Sequence, residues 1–127
     1  MLKLLQNQAL NTYHKEINKL GWDAAMKQYP AVEAHMAVSM RDKNFTMEMM
    51  QFYTHVADIN TNDLEEAFHI HNVQIENKII RYGRQHSMSV GDVLVDNDGK
   101  VFLCADVGFN YVGMVKWGKN CLVIWVL

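Results

Sequence analysis

Residues 86–112 limit the possible folds of this chain more than any other segment. Two apolar runs, residues 90–95 and 100–107, flank the sequence Asp96-Asn97-Asp98-Gly99. Asp and Asn favour turns because their side chains bond to nearby backbone groups, and Gly tolerates the backbone angles that tight turns need. The pattern predicts an antiparallel hairpin, followed after Gly108 by further strands.

The sequence ends on seven consecutive apolar residues, 121–127. A strand with one face in water alternates apolar and polar residues, whereas a strand buried on both faces does not. We therefore expect residues 121–127 to form a strand that is central in the sheet or covered on both faces.

The first forty residues have a helical pattern. Gly21 follows the first apolar stripe at a position typical of a helix end, Asp23 can cap a second helix to about Gln28, and Pro30 suits the start of a third helix over residues 31–40. Val32, Met36 and Met40 would be the inward face of that third helix. The first stripe, which predicts an amphipathic helix over residues 1–20, consists of Leu2, Leu5, Ala9, Tyr13, Ile17 and Leu20.

The middle of the chain alternates and then becomes helical. Residues 52–57 have the two-residue period of a strand. Asn62 followed by Glu65 resembles a capping box, and the helical spacing continues to about Asn72. Residues 73–82 fit either an extension of this helix or an apolar linker.

These elements predict one α+β domain over residues 1–127, with a helical part (1–45) and a strand, helix and β-meander part (46–127). The N-terminal helices would pack on a C-terminal antiparallel sheet, an arrangement that also allows a partial barrel. A chain of 127 residues has room for one hydrophobic core.

Composition excludes several classes of protein. The net charge of −2 gives neither the basic excess that phosphate binding requires nor the dense acidity of a nucleic-acid mimic. No segment has the length and apolarity of a membrane span, no secretory leader is evident, and Cys104 and Cys121 both lie among apolar residues. We expect a cytoplasmic protein with two buried, free thiols.

Candidate catalytic or metal-binding residues are few. His69 and His71 cannot share an ion on a helix, and Asp96-Asn97-Asp98-Gly99 differs from a calcium loop because Val107 replaces the distal glutamate. A carboxylate pair between Asp92 and Asp106, or a hydrolase using Asp92 and a histidine, stays open as a minor alternative. We therefore expect that the protein has no enzyme activity and binds neither a cofactor nor a metal ion.

Two stretches resemble a known family. Residues 61–68 (TNDLEEAF) with Asn72, and residues 87–93 (SMSVGDV) with Gly99-Lys100-Val101-Phe102 and Gly108-Phe109, are similar to YodL-like domains of phage, plasmid and other mobile-element proteins. The resemblance covers roughly residues 55–112. It implies a phage or mobile-element setting and no enzymatic activity.

We therefore predict a small non-enzymatic accessory protein that binds and modulates or inhibits a host protein, with a nucleic-acid-associated regulator as the alternative. The predicted contact surface combines turn-borne aromatics with the acidic hairpin tip, because exposed aromatics are frequent interface anchors. A Met-rich segment is a second candidate, and the apolar stripe of residues 1–20 is a candidate homodimer interface. The residues of the first surface are Phe109, Tyr111, Trp117, Asp96 and Asp98, and those of the second are Met36, Met40, Met47 and Met50.

Overall fold

The computed structural model describes residues 1–40, 44–118 and 121–125; for Met40 and for residues 117–118 and 121–125 the description is of the backbone alone. The strands are β1 (Leu2–Asn7), β2 (Tyr53–Ile59), β3 (Ile79–Arg81), β4 (Val93–Val95), β5 (Lys100–Cys104), β6 (Phe109–Gly118) and β7 (Cys121–Trp125). The α-helices are α1 (Ala9–Thr12), α2 (His14–Leu20), α3 (Trp22–Gln28), α4 (Pro30–Met40) and α5 (Leu64–Asn72), with 3₁₀ helices at Met47–Phe52 and Glu76–Lys78.

The strands form a single antiparallel sheet in the order β3-β2-β1-β4-β5-β6-β7. Together with the helices this confirms the α+β prediction. The partial barrel is wrong for the described residues, since β3 and β7 lie at the two edges and do not pair with each other.

The prediction of one helix over residues 1–20 is wrong. Leu2–Asn7 is an interior strand of the sheet, with β2 on one side and β4 on the other. Leu4 and Leu5 are both almost completely buried, one on each face, which a helix with a single apolar stripe would not achieve. A short apolar run fits a buried strand and a helix equally well, and here the tertiary pairing decides.

The helical layer begins directly after β1. The Asn7 side chain accepts a hydrogen bond from the Ala9 backbone N–H and donates one to the Ala31 carbonyl, which joins α1 to α4. Gly21 ends α2 with a positive φ of 83°, and Pro30 is the first residue of α4, as predicted. The prediction that Asp23 caps α3 is wrong, because α3 begins at Trp22 and has no side-chain cap.

Two hydrophobic clusters lie on opposite faces of the sheet. On one face α5 packs Ala67 and Ile70 against Leu4, Ile59 and Leu94. The other face has a core in which α4 and the Met47–Phe52 helix cover a second set of strand residues. Val38 of α4 and Met50 of the 3₁₀ helix pack on these strand residues, which are Leu5, Val93, Val95, Val101, Leu103 and Val115.

Helix α5 ends at Asn72 as predicted, but its cap is displaced by one residue. The Asp63 carboxylate, not the Asn62 side chain, accepts a hydrogen bond from the Glu66 N–H at 2.8 Å. The carboxylate therefore satisfies an unpaired amide of the first turn and lies at the positive end of the helix dipole.

Residues 82–92 form a crossing segment that connects β3 to β4 past the ends of β2 and β1. Side-chain amides hold the backbone of three of its residues, Arg84, His86 and Met88. The Gln6 carboxamide accepts from the His86 N–H and donates to the His86 carbonyl, and the Asn72 carboxamide does the same at Met88. Gln8 donates to the Arg84 carbonyl. These amides take the place of a neighbouring strand for a stretch of backbone that has none.

The last strand lies at an edge of the sheet. Cys121–Trp125 pairs with β6, so of the two alternatives predicted for residues 121–127 the central position is wrong, and residues 126–127 lie outside the described residues. Coverage of its two faces depends on side chains outside the described residues. None of the described helices is both long enough and apolar enough to span a bilayer.

Candidate functional site

The residues predicted to form one binding surface lie at opposite ends of the sheet. Asp96 and Asp98 are in the turn between β4 and β5, whereas Phe109 follows the turn between β5 and β6. Strand β5 separates the two turns. The combined aromatic and acidic surface is therefore wrong as one contiguous site, because successive hairpin turns alternate between the ends of a meander.

Asp96 has a structural role in its turn. Its carboxylate oxygen Oδ1 accepts hydrogen bonds from the backbone N–H groups of Asp98 and Lys100, both at 2.9 Å. Gly99 has a φ of 86°, and a Cβ there would collide with the Val115 carbonyl oxygen. The predicted turn is confirmed, and glycine is required at position 99 both for its backbone angles and for the close approach of β6.

Phe109 and Tyr111 lie together at the start of β6, whereas Trp117 lies near its other end, three residues past Met114, which pairs with Lys100 after the acidic turn. The Tyr111 side chain is 54% exposed and its ring lies 5.9 Å from that of Phe102 on β5. Phe109 is partly buried against the core beneath α5. Trp117 belongs to β6, but its side chain lies outside the described residues. We call Phe102, Phe109, Tyr111 and the turn residue Val107, which is 91% exposed, the aromatic surface.

A groove of about 190 Å³ lies beside the aromatic surface, between the start of α5 and the turn after β5. The Glu65 carboxylate lies close to Gly108 of that turn, so a Cβ on Gly108 would be 3.7 Å from Glu65 Oε1. Asp106 also lines the groove and is exposed. The rim of the groove is therefore acidic and its inner part, formed by Phe68 and Phe109, is apolar.

Cys104 lies at the base of this groove and is buried and free, as predicted. Burial raises the pKa of its thiol to about 11, and the nearby Asp92 and Glu65 carboxylates act in the same direction. A thiol with this pKa is protonated at neutral pH and is a poor nucleophile. Cys121 is the other predicted free thiol, and its side chain lies outside the described residues.

Asp92 forms a buried polar junction where the crossing segment enters β4. Its Oδ2 accepts hydrogen bonds from Gln6 Nε2 and from the Ser89 N–H, each at 3.0 Å, and lies 3.8 Å from His86 Nδ1. Burial raises the pKa of Asp92 to about 6, although His86 and the two hydrogen bonds oppose the shift. We call Gln6, His86 and Asp92 the polar junction.

The polar junction bears on two of the chemical alternatives. Asp92 has a histidine as its partner, while Asp106 lies exposed on the groove rim, so the proposed Asp92–Asp106 carboxylate pair is wrong. The other alternative, a hydrolase using Asp92 and a histidine, needs these two side chains to be close, and Asp92 does lie beside His86. No hydroxyl or thiol of the described residues hydrogen-bonds to His86, whose ring nitrogen Nδ1 approaches Gln6 and the Ser87 carbonyl instead.

The buried histidine of α5, His71, is held by the fold, whereas His69 is exposed. His71 is 3% exposed, and its Nε2 lies 2.7 Å from Gln85 Oε1 of the crossing segment. Gln85 in turn donates to the Val56 carbonyl. Within the part of the chain that the structure describes, no three His, Cys, Asp or Glu side chains are arranged to hold a metal ion.

The Met-rich segment does not form an open surface. Met50 is buried, and Met47 packs so closely on Gly113 that a Cβ there would lie 2.7 Å from its sulfur atom. Met36 is half-buried, and the Met40 side chain lies outside the described residues. Met47 and Met50 therefore serve as core packing rather than as a surface for partners.

A second polar cluster was missed by the sequence analysis. The Asp58 carboxylate accepts a hydrogen bond from the Tyr82 hydroxyl at 2.5 Å and lies 2.8 Å from His55 Nε2. This hydrogen bond raises the pKa of Tyr82. His55 and Asp58 are on β2 and Tyr82 follows β3, so only the strand pairing brings the three together. No sequence spacing links Tyr82 to either partner, and the same is true of Gln6 and Asp92, which are 86 residues apart.

Comparisons of the chain with protein-family models, with curated proteins and with solved structures gave no match. The resemblance to YodL-like domains therefore stays a prediction. The two stretches that carry it are in contact in the fold, since Asn72 pairs with the backbone of Met88.

Proposed function

We propose that this chain is a small, non-enzymatic domain that binds another protein through the aromatic surface and the groove beside it. The observation that carries the proposal is Tyr111, an aromatic side chain more than half exposed on a strand face and supported by Phe102. Rigid aromatic side chains with both apolar and hydrogen-bonding parts are common anchors in protein interfaces.

The acidic rim of the groove indicates the chemistry of the partner. The exposed carboxylates of Glu65 and Asp106 line the groove together with the half-buried rings of Phe68 and Phe109. A protein segment with an apolar residue beside a Lys or Arg would complement this arrangement. The same carboxylates disfavour the phosphate backbone of a nucleic acid, which argues against the alternative of a nucleic-acid-associated regulator.

The biological setting of the proposal comes from the family resemblance alone. A YodL-like accessory protein of a phage or mobile element would act in the host cytoplasm by binding, and so modulating or inhibiting, a host protein. An anti-defence role is the concrete form of this proposal.

The test is an affinity capture from bacterial lysate with the tagged protein, read by mass spectrometry with and without nuclease. We expect a stoichiometric protein partner that survives nuclease treatment. In the double variant Val107→Asp and Tyr111→Ser, we expect capture to fall roughly tenfold or more, because both changes remove exposed apolar contact area.

The matched control is Trp22→Ser on α3, which removes an exposed aromatic side chain (47%) from the helical layer. We expect this variant to capture the partner normally. Equal capture by the double variant would overturn the proposed surface. Partners that disappear with nuclease would instead support the nucleic-acid alternative.

A further inference from the structure

The sheet has an edge strand whose outward backbone groups are available for pairing. In the ladder between β2 and β3, Asn60 N–H donates to the Lys78 carbonyl and Tyr82 N–H donates to the Val56 carbonyl. Backbone groups alternate in direction along an antiparallel strand. The N–H and C=O groups of Ile80 therefore face β2, and those of Ile79 and Arg81 point away from the sheet.

Two apolar side chains lie exposed at this edge. Ile80 is 50% exposed and Tyr82 is 55% exposed. Charged side chains commonly protect sheet edges from pairing with other chains. Here the Arg81 guanidinium is occupied by Glu76, at 2.6 and 2.7 Å, and Lys78 lies 3.9 Å from Glu66. Both charges are thus drawn toward the protein's own carboxylates.

We propose that β3 pairs with β3 of a second copy of this chain, antiparallel and with the two-fold axis at Ile80. In this register Ile79 of each copy lies opposite Arg81 of the other, and these are the residues with outward backbone groups. Four backbone hydrogen bonds form, and the sheet becomes continuous across the two copies. This interface is distinct from the aromatic surface, which lies toward the other edge.

The side chains are compatible with the same register. The two copies of Ile80 face each other as a close pair, and each covers the exposed side chain of the other. Lys78 lies opposite Tyr82, which places a cation beside an aromatic ring. An axis at Arg81 would instead place two guanidinium groups opposite each other.

A dimer built on a three-residue strand has a small interface, so we expect its dissociation constant to be roughly micromolar or weaker. Sedimentation velocity over a concentration series should show a monomer–dimer equilibrium for the full chain. Ile80→Lys and Ile80→Glu should each be monomeric across the series, because each places two like charges at the axis.

The decisive sample is an equal mixture of Ile80→Lys and Ile80→Glu proteins, in which opposite charges meet at the axis and the dimer should return. Leu20→Lys, which adds the same charge to an exposed residue of α2, should dimerise as the unmodified chain does. Circular dichroism of each variant confirms that it is folded. A chain that is monomeric throughout, single variants that still dimerise, or a mixture that stays monomeric would each overturn the proposal.

Discussion

At the scale of single residues, the most unusual group is the Asp92 carboxylate. It is 4% exposed, and burial raises its pKa to about 6 from an ordinary value of 3.8. Gln6 and Ser89 donate hydrogen bonds to it, and His86 supplies the nearest cation when protonated. These interactions offset only part of the cost of removing a charge from water.

The raised pKa predicts how stability depends on pH. The folded chain holds the Asp92 proton more tightly than the unfolded chain does, so this group makes the free energy of unfolding fall as pH rises from about 4 to about 6. In Asp92→Asn the side-chain oxygen still accepts from Gln6 and Ser89, but nothing titrates. The difference in unfolding free energy between the variant and the unmodified chain should change by about 2–3 kcal/mol between pH 4 and pH 7.

Urea unfolding at a series of pH values measures this difference. The other titratable groups in electrostatic contact with Asp92 are His86, Tyr53 and Cys104, and they are present in both proteins. His35, whose pKa is lowered by burial and by His86, is likewise unchanged. Parallel pH profiles for the two proteins would show that Asp92 is not the source of the effect.

At the scale of elements, the crossing segment shows how a stretch of backbone is ordered without a neighbouring strand. The carboxamides of Gln6 and Asn72 each supply one donor and one acceptor to a single residue of the segment. Only Asn and Gln side chains combine both functions in this geometry. The segment is therefore positioned by α5 and β1 together, which come from distant parts of the chain.

Removal of the Asn72 carboxamide should weaken the attachment of the crossing segment to α5. Asn72→Ala leaves the N–H and C=O of Met88 without their partners, at 2.7 and 2.9 Å, next to a buried Met88 side chain. We expect the free energy of unfolding to fall by about 1–3 kcal/mol. Hydrogen exchange at Met88 N–H should accelerate in the same variant.

Asn77→Ala is the matched control, since Asn77 is exposed in the 3₁₀ helix before β3. Its unfolding free energy should stay within about 0.5 kcal/mol of the unmodified chain. An equal loss of unfolding free energy in both variants would mean that the two hydrogen bonds between Asn72 and Met88 do not stabilise the fold specifically.

Local signals explain which elements the sequence could predict. Gly21, Pro30 and the turn at residues 96–99 each impose a backbone geometry through their own chemistry, so the helix end, the helix start and the hairpin were correct. The hairpin strands are shorter than predicted because a turn lies at each outer end. Asp92 N–H donates to the Ser89 carbonyl before β4, where Gly91 has a φ of 95°, and Ala105 N–H donates to the Gly108 carbonyl after β5. The polar junction gave no signal, because Gln6 and Asp92 are adjacent only once β1 lies beside β4.

At the scale of the whole molecule, β1 joins the two halves of the sheet. It pairs with β2 along one side and with β4, the first strand of the C-terminal meander, along the other. The residues that suggested an amphipathic helix, and with it a homodimer through residues 1–20, are divided among β1, α1, α2 and Tyr13 between the two helices. That route to a dimer is wrong, and the edge strand β3 takes its place in our proposal.

Two leucines distinguish the strand from the predicted helix. Leu4 and Leu10 both lie off the apolar stripe of the predicted helix, yet Leu4 is completely buried in β1 and Leu10 is 37% exposed in α1. Leu4→Ala should lower the free energy of unfolding by about 3–5 kcal/mol through the cavity that it leaves. Leu10→Ala should lower it by less than about 1 kcal/mol. Equal, small effects in thermal or urea unfolding would contradict the interior position of β1.

The position of β1 also has a consequence for the order of events during protein synthesis. This strand leaves the ribosome before both of its neighbours, and one of them, β4, follows roughly ninety residues later, as the 86-residue separation of Gln6 and Asp92 shows. Until then β1 exposes apolar side chains on both faces and one unpaired edge. Nascent chains of this protein should therefore depend on a ribosome-associated chaperone that shields short apolar segments until the sheet can close around them.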